Sequence, residues 1–335
     1  MSRGRYDSHK ARLRRDRIRR EKDAEGAGSS APDVAPNPGP DHPFGSERAL
    51  WQIQALMEGQ QFESLDEANA RLAELTGGGR LSQLAGAWKQ DDPKWRAQNL
   101  AYDALETDSL EEALWLANQA LKLDPDCTDA QRLIVSVVPS DPRNKTDLMR
   151  EVVEKAERNL GADFFRGNMG HFWGTVSTRP YMRALQHLGE LLVETGQLPQ
   201  AVEAFERMLE LNPIDNQGMR YPLLGLYLAG HEPTRANQLM SRFPDEEKFM
   251  GSFAWARVLE RWLSGALDNA VAALGHARKV NPFAERYISG VCAVPKAAPE
   301  YFKPGDEAEA RVCAIELSRA WEHNPAFREW LRMQK

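Results

Sequence analysis

LEEALWLANQALKLDP (residues 110–125) and LDNAVAALGHARKVNP (residues 267–282) share one beat. Ala113, Ala120 and Pro125 stand seven and five residues apart, and Ala270, Ala277 and Pro282 repeat that spacing. LPQAVEAFERMLELNP (residues 198–213) repeats it with Ala201, Met208 and Pro213. Small residues two helical turns apart lie on one face and let a neighbouring helix approach closely, and the proline stops the helix. This is the pattern of the second helix of a tetratricopeptide unit. It predicts an all-α, tetratricopeptide-like helical solenoid.

Working outward, the spacing predicts helix pairs over about residues 94–127, 128–160, 181–214, 216–249 and 251–284, close to the 34-residue period of such repeats. Leu185, Leu188, Gly189 and Leu192 mark the first helix of the most regular unit, and Gly196 its turn. Pro213 and Pro282 are 69 residues apart, two periods, whereas Pro125 and Pro213 are 88 apart. The surplus of about twenty residues falls on GADFFRGNMGHFWGTVSTRP (residues 161–180), where the repeat pattern lapses. Before the repeats, Ala49, Leu50, Ile53, Leu56 and Met57 fall on one helical face, and Ser64 to Glu67 fits a capping box. The expected divisions are a disordered basic arm and Pro-rich linker at 1–45, an N-terminal helical module at 46–92, the solenoid at 93–284 with its insertion at 161–180, and a C-terminal capping region at 285–335.

Charge is segregated. The chain carries a formal net charge of −6, yet residues 1–22 hold ten Lys or Arg against three Asp or Glu. Five prolines follow (Pro32, Pro36, Pro38, Pro40, Pro43), and this composition predicts a disordered tether. Three scattered cysteines, Cys127, Cys292 and Cys313, make neither a disulfide framework nor a zinc spacing. No apolar run reaches the roughly 18–20 residues of a membrane span. A cytoplasmic protein without membrane span, metal or cofactor is expected. The glycines at 77–79 lack the Lys-Ser/Thr of a phosphate loop.

Two stretches carry more polar and aromatic residues than a repeat requires. One contributes His171, Trp173, Arg179, Tyr181 and Arg183; the other Asp215, Asn216, Gln217, Arg220 and Tyr221. First helices line the concave face of such solenoids, so these side chains are candidates for binding a peptide or protein. Arginine suits a carboxylate because its planar fork makes two parallel hydrogen bonds. Each residue also has a structural reading. Asp215 or Asn216 would cap the following helix, His171 would sit in a turn, Phe172 and Trp173 would plug the insertion, and the arginines would pair with neighbouring carboxylates.

GHFWGTVSTRPYMRAL (residues 170–185) followed by NPIDNQGMRYPLL (residues 212–224) resembles the suppressor-of-tumorigenicity-seven family of tetratricopeptide proteins, in particular its soluble bacterial members. The resemblance spans about residues 95–290. It implies a helical-repeat fold and places His171, Trp173, Arg179, Tyr181, Asp215, Asn216, Gln217, Arg220 and Tyr221 in the family pattern. It supplies no catalytic residues. The animal relatives are described as membrane-associated, and the absence of a spanning segment keeps that property from carrying over.

The leading expectation is therefore a non-enzymatic peptide- or protein-binding scaffold, its partner a protein or peptide. The alternative is weak nucleic-acid association through Arg12, Arg14, Arg15, Arg17, Arg19 and Arg20, which would neutralise phosphates without reading sequence. A third reading, an enzyme centred on His171, requires a carboxylate such as Asp215 beside it.

Overall fold

The computed structural model describes residues 44–57, 62–76, 92–299 and 301–334. Nearly all of the basic arm, with Arg12, Arg14, Arg15, Arg17, Arg19 and Arg20, and the glycine run at 77–79 lie outside the described residues. Among the described residues the chain is all-α: every regular element is a helix. None of these helices is long and apolar enough to cross a membrane. The chain divides into two compact units, one ending at Leu191 and the other comprising Leu192–Lys335.

The first unit contains α1 (Gly45–Met57), α2 (Leu65–Thr76), α3 (Pro93–Glu106), α4 (Leu110–Leu123), α5 (Thr128–Val137), α6 (Pro142–Leu160), α7 (Ala162–Asn168), a 3-10 turn at Val176–Thr178, and the greater part of α8 (Arg179–Glu194). Local chemistry starts these helices where the sequence demands. Asp92 accepts from the Lys94 amide with Pro93 in the first turn, Ser109 accepts from Glu112, and Asp141 accepts from Arg143 and Asn144. The alanine beat then sets the packing. Ala113, Ala117 and Ala120 of α4 are fully buried in one core with Ala97, Ala101 and Ala104 of α3. Small residues on both sides bring the two backbones close, which accounts for α3 and α4 forming an extensively packed pair. α4 and α6 both pack on α5, and α6 also packs on α7.

The insertion at 161–180 holds its own aromatic core. Phe165 and Phe172 lie 4.8 Å apart between centroids, Phe164 meets the edge of Phe172, and Tyr181 meets both Phe165 and Phe172 edge-on. The Tyr181 hydroxyl donates to Glu157 of α6 at 2.7 Å. Phe172 is thus the plug of the insertion, and Gly170, at φ 82°, supplies the turn before it.

The second unit continues with α9 (Leu198–Leu211), α10 (Arg220–Ala229), α11 (Pro233–Arg242), α12 (Glu246–Phe249), α13 (Gly251–Leu263), α14 (Leu267–Val280), α15 (Glu285–Ile288), α16 (Glu307–Glu316), α17 (Ser318–His323) and α18 (Pro325–Met333). The pairs α10/α11 and α13/α14 match the expected units. The C-terminal helices α16 and α17 lie against α10 and α13, the first helices of those pairs. Glu309 fixes this arrangement: its buried carboxylate accepts from the Gly251 amide at 2.8 Å, Asn281 Nδ2 at 2.8 Å and the Gly305 amide at 2.6 Å.

Gly225 of α10 marks the tightest approach. A β-carbon there would sit 2.7 Å from the Glu316 carbonyl oxygen and 3.4 Å from Leu317 Cα, both backbone. Gly275 of α14 has open space at the same position. Gly225→Ala is therefore expected to cost about 1–3 kcal/mol by overpacking, and Gly275→Ala to gain about 0.5–1 kcal/mol from helix propensity. Opposite shifts in urea midpoint check the pair.

Candidate functional site

Three successive first helices, α3, α5 and α8, place a line of polar side chains on one face of the first unit. Its centre is Asp129 of α5, which is wholly buried. A buried carboxylate must be compensated. Gln98 of α3 donates to it at 2.8 Å, Arg183 of α8 donates through Nε at 2.9 Å and through Nη2, and Arg132 stands 3.5 Å away. Burial alone would raise the Asp129 carboxyl, but Arg183, Arg132 and Gln98 outweigh it and hold it below the usual carboxylate range.

The remaining nitrogen of Arg183 points outward. Nη1 donates to both oxygens of Glu47, at 2.9 and 3.0 Å, and Glu47 belongs to α1. The Tyr102 hydroxyl donates to Glu47 at 2.8 Å, and Arg179 Nη1 lies 3.5 Å from it. Burial pushes the Tyr102 phenol far up against the opposing pull of Arg183, so it stays a proton donor. Arg179 is itself held by Trp173: Nε donates to the Trp173 carbonyl at 3.0 Å, and the guanidinium sits 5.1 Å from the indole ring. The insertion thereby aims one arm of the clamp. Next to it, Arg48 of α1 reaches Asn99 at 3.1 Å, Asp103 at 2.5 Å and Glu106 at 3.2 Å.

Of the first five candidates, Arg179 and Arg183 meet at Glu47, and Trp173 holds Arg179. Tyr181 anchors the insertion instead, and His171 is exposed at the turn before the 3-10 element, its carbonyl accepting from Gly174 and Thr175. Sequence reasoning missed Glu47, Arg48, Tyr102 and Asp129. An acid in the first turn of α1 reads as an ordinary response to the helix dipole, so no local signal marks Glu47.

The other five candidates belong to the second unit. Asp215 has φ 58°, a left-handed conformation that Asp tolerates better than most residues. Its carboxylate accepts from the amides of Met219 at 2.7 Å and Arg220 at 2.9 Å, so it caps α10. Burial raises the Asp215 carboxyl, offset in part by those amides and by Arg220. Arg220 pairs with Asp215 at 3.0 Å and Glu246 at 3.1 Å, and lies over the Tyr221 ring. Tyr221 donates to Glu246 at 2.5 Å. Asn216 is exposed and Gln217 half-buried.

Chemically, the first cluster is a charged clamp for a carboxylate, with an acidic pocket beside it for a cation. Burial pushes the Cys127 thiol up to about 12, which makes it a poor nucleophile. Among the described residues no group of three or more His, Cys, Asp or Glu is placed to hold a metal ion. No family model matches the sequence, and no curated protein matches it.

His187 of α8 carries the pH response of this face. Burial, with Arg132 and Lys145 nearby, holds its ring down at about 3, and its Nδ1 is buried without a hydrogen-bond partner. The folded state thus favours the neutral ring. Its contribution is intact above about pH 6.5 and is lost as pH falls toward 3, at up to about 1.4 kcal/mol per pH unit. Urea unfolding of wild type and His187→Leu should show a stability gap that moves in the variant's favour as pH drops from 7 to 4. Separately, Asp215→Ala is expected to lose about 1–2 kcal/mol, and Asp215→Asn less, because Asn keeps an acceptor and tolerates the left-handed backbone.

Proposed function

We propose that this protein is a non-enzymatic peptide- or protein-binding scaffold, and that its binding groove is the face lined by α3, α5 and α8. One observation carries the reading: a helix from outside the repeats already lies on this face, with its Glu47 carboxylate held by Arg183, Tyr102 and Arg179. Laying a helix in a groove and fixing it by side chains at helical spacing is a general mode of peptide recognition. Arginines with buried backing act as anchors because their partners are already in place, so little ordering is needed on binding. Kinship with the suppressor-of-tumorigenicity-seven family is part of this proposal, supported by the motifs at 170–185 and 212–224.

The test is selection of helical peptides from a displayed library on the full chain, using wild type and Glu47→Gln. Bound peptides are expected to lose at least about tenfold in affinity on Arg179→Ala, the scale of a modest interface anchor, with Arg183→Lys weaker than wild type because the fork is lost. Loss on Asn216→Ala instead would move the site to the second cluster. Absence of any Arg179-dependent peptide from both forms removes the groove.

A further inference from the structure

Two helical segments, α16 with α17 and α1 alone, lie on first-helix faces in this chain, and they are held by different contacts. α16 and α17 dock through Ala310, Cys313, Ala314, Leu317, Ala320 and Trp321, all at most 2% exposed. α1 docks through buried charge together with aromatic contacts at Phe44 and Trp51. Among its described side chains Glu47 and Arg48 are buried, at 6% and 7% exposed, while Leu50 is 39% exposed. Apolar burial of the first kind contributes about 1.5–3 kcal/mol per large side chain. Buried ion pairs of the second kind add little net stability, because desolvation offsets attraction, yet they discriminate strongly against a wrong partner.

The contacts of α1 also follow a recognition spacing. Phe44 stacks on Tyr102 at 5.1 Å, Glu47 enters the arginine clamp, Arg48 enters the acidic pocket, and Trp51 meets Trp95 at 5.9 Å. These are positions i, i+3, i+4 and i+7, one face of a helix. Outside that face, Ser46, Leu50 and Gln54 are exposed. The groove thus reads four side chains in order: aromatic, acid, arginine, aromatic.

We infer that α1 is a resident ligand of the groove, and that it gives way to a partner's amphipathic helix carrying those same four anchors. This rests on the groove reading given above. The argument is charge complementarity at two adjoining pockets of opposite sign, which neither an acidic nor a basic helix alone would satisfy. With α1 gone, Arg179 and Arg183 lose the Glu47 carboxylate, and Asp103 and Glu106 lose the Arg48 guanidinium. A tethered ligand competes at an effective concentration on the order of millimolar, so the intact chain binds a partner more weakly than the open groove does.

The experiment uses the full chain and a fluorescent peptide of residues 44–57, FGSERALWQIQALM, followed by anisotropy. Phe44→Ala/Glu47→Gln is expected to bind the peptide at least tenfold more tightly than wild type, and adding Arg179→Ala should remove that gain. In wild type, saturating peptide should speed amide exchange across residues 45–57. Arg48→Ala provides a milder release should the double variant melt well below wild type. Equal affinity for wild type and the released variants, still dependent on Arg179, overturns the resident-ligand inference and leaves the groove. No binding to a folded, released variant overturns the groove and this inference together. A dimer in sedimentation that dissociates on adding peptide makes a second copy the occupant and overturns the assignment to a partner.

Discussion

Arg183 joins two carboxylates from distant parts of the chain, and the first unit is organised around it. Asp129 is buried without access to water, a condition that a carboxylate meets only when its lone pairs are filled by donors of the right geometry. Arg183 fills two of them from α8, Gln98 a third from α3, and Arg132 adds charge from α5 itself. Three first helices are therefore pinned to one point. The outer nitrogen of the same guanidinium then holds Glu47, so the seat of α1 follows from how Asp129 is satisfied. Removing either carboxylate would leave a cation with less company than burial tolerates.

The fold was largely legible in the sequence because alanine spacing is a local signal. Ala113 and Ala120 lie in the buried core of α4, and Ala270 and Ala277 are fully buried in α14, each beat matching a second helix. The surplus between Pro125 and Pro213 points to residues 161–180, which carry the short α7 and a 3-10 turn, because a fixed period makes any excess visible. The DNQG stretch after Asn212-Pro213 also carried its meaning locally: Asp215 caps α10, one of the two roles weighed for it.

The candidate site was legible only in part. Trp173, Arg179 and Arg183 stand out because no repeat needs them, but what they hold was hidden. Glu47 lies 136 residues before Arg183, and no spacing rule spans that distance. The apolar periodicity of Ala49, Leu50, Ile53, Leu56 and Met57 marks a face of α1 other than the one that carries Glu47 and Arg48, and the side chains of Leu56 and Met57 lie outside the described residues. Tyr181 and Arg220 show the converse. Both look like surplus polar residues in the sequence, yet each is consumed by a neighbour, Glu157 for one and Asp215 with Glu246 for the other.

The separation between Glu47 and Arg183 also sets an order of events during synthesis. At roughly 5–20 residues per second, Glu47 emerges on the order of ten seconds before the arginine that holds it. Through that interval its carboxylate is hydrated, and α1, short and only partly apolar, is marginal as an isolated helix. The helices of residues 92–160 can pair through their alanine faces in the meantime, since those contacts are close in sequence. The nascent protein can therefore pair the helices of residues 92–160 before Arg183 is available to complete the seat of α1.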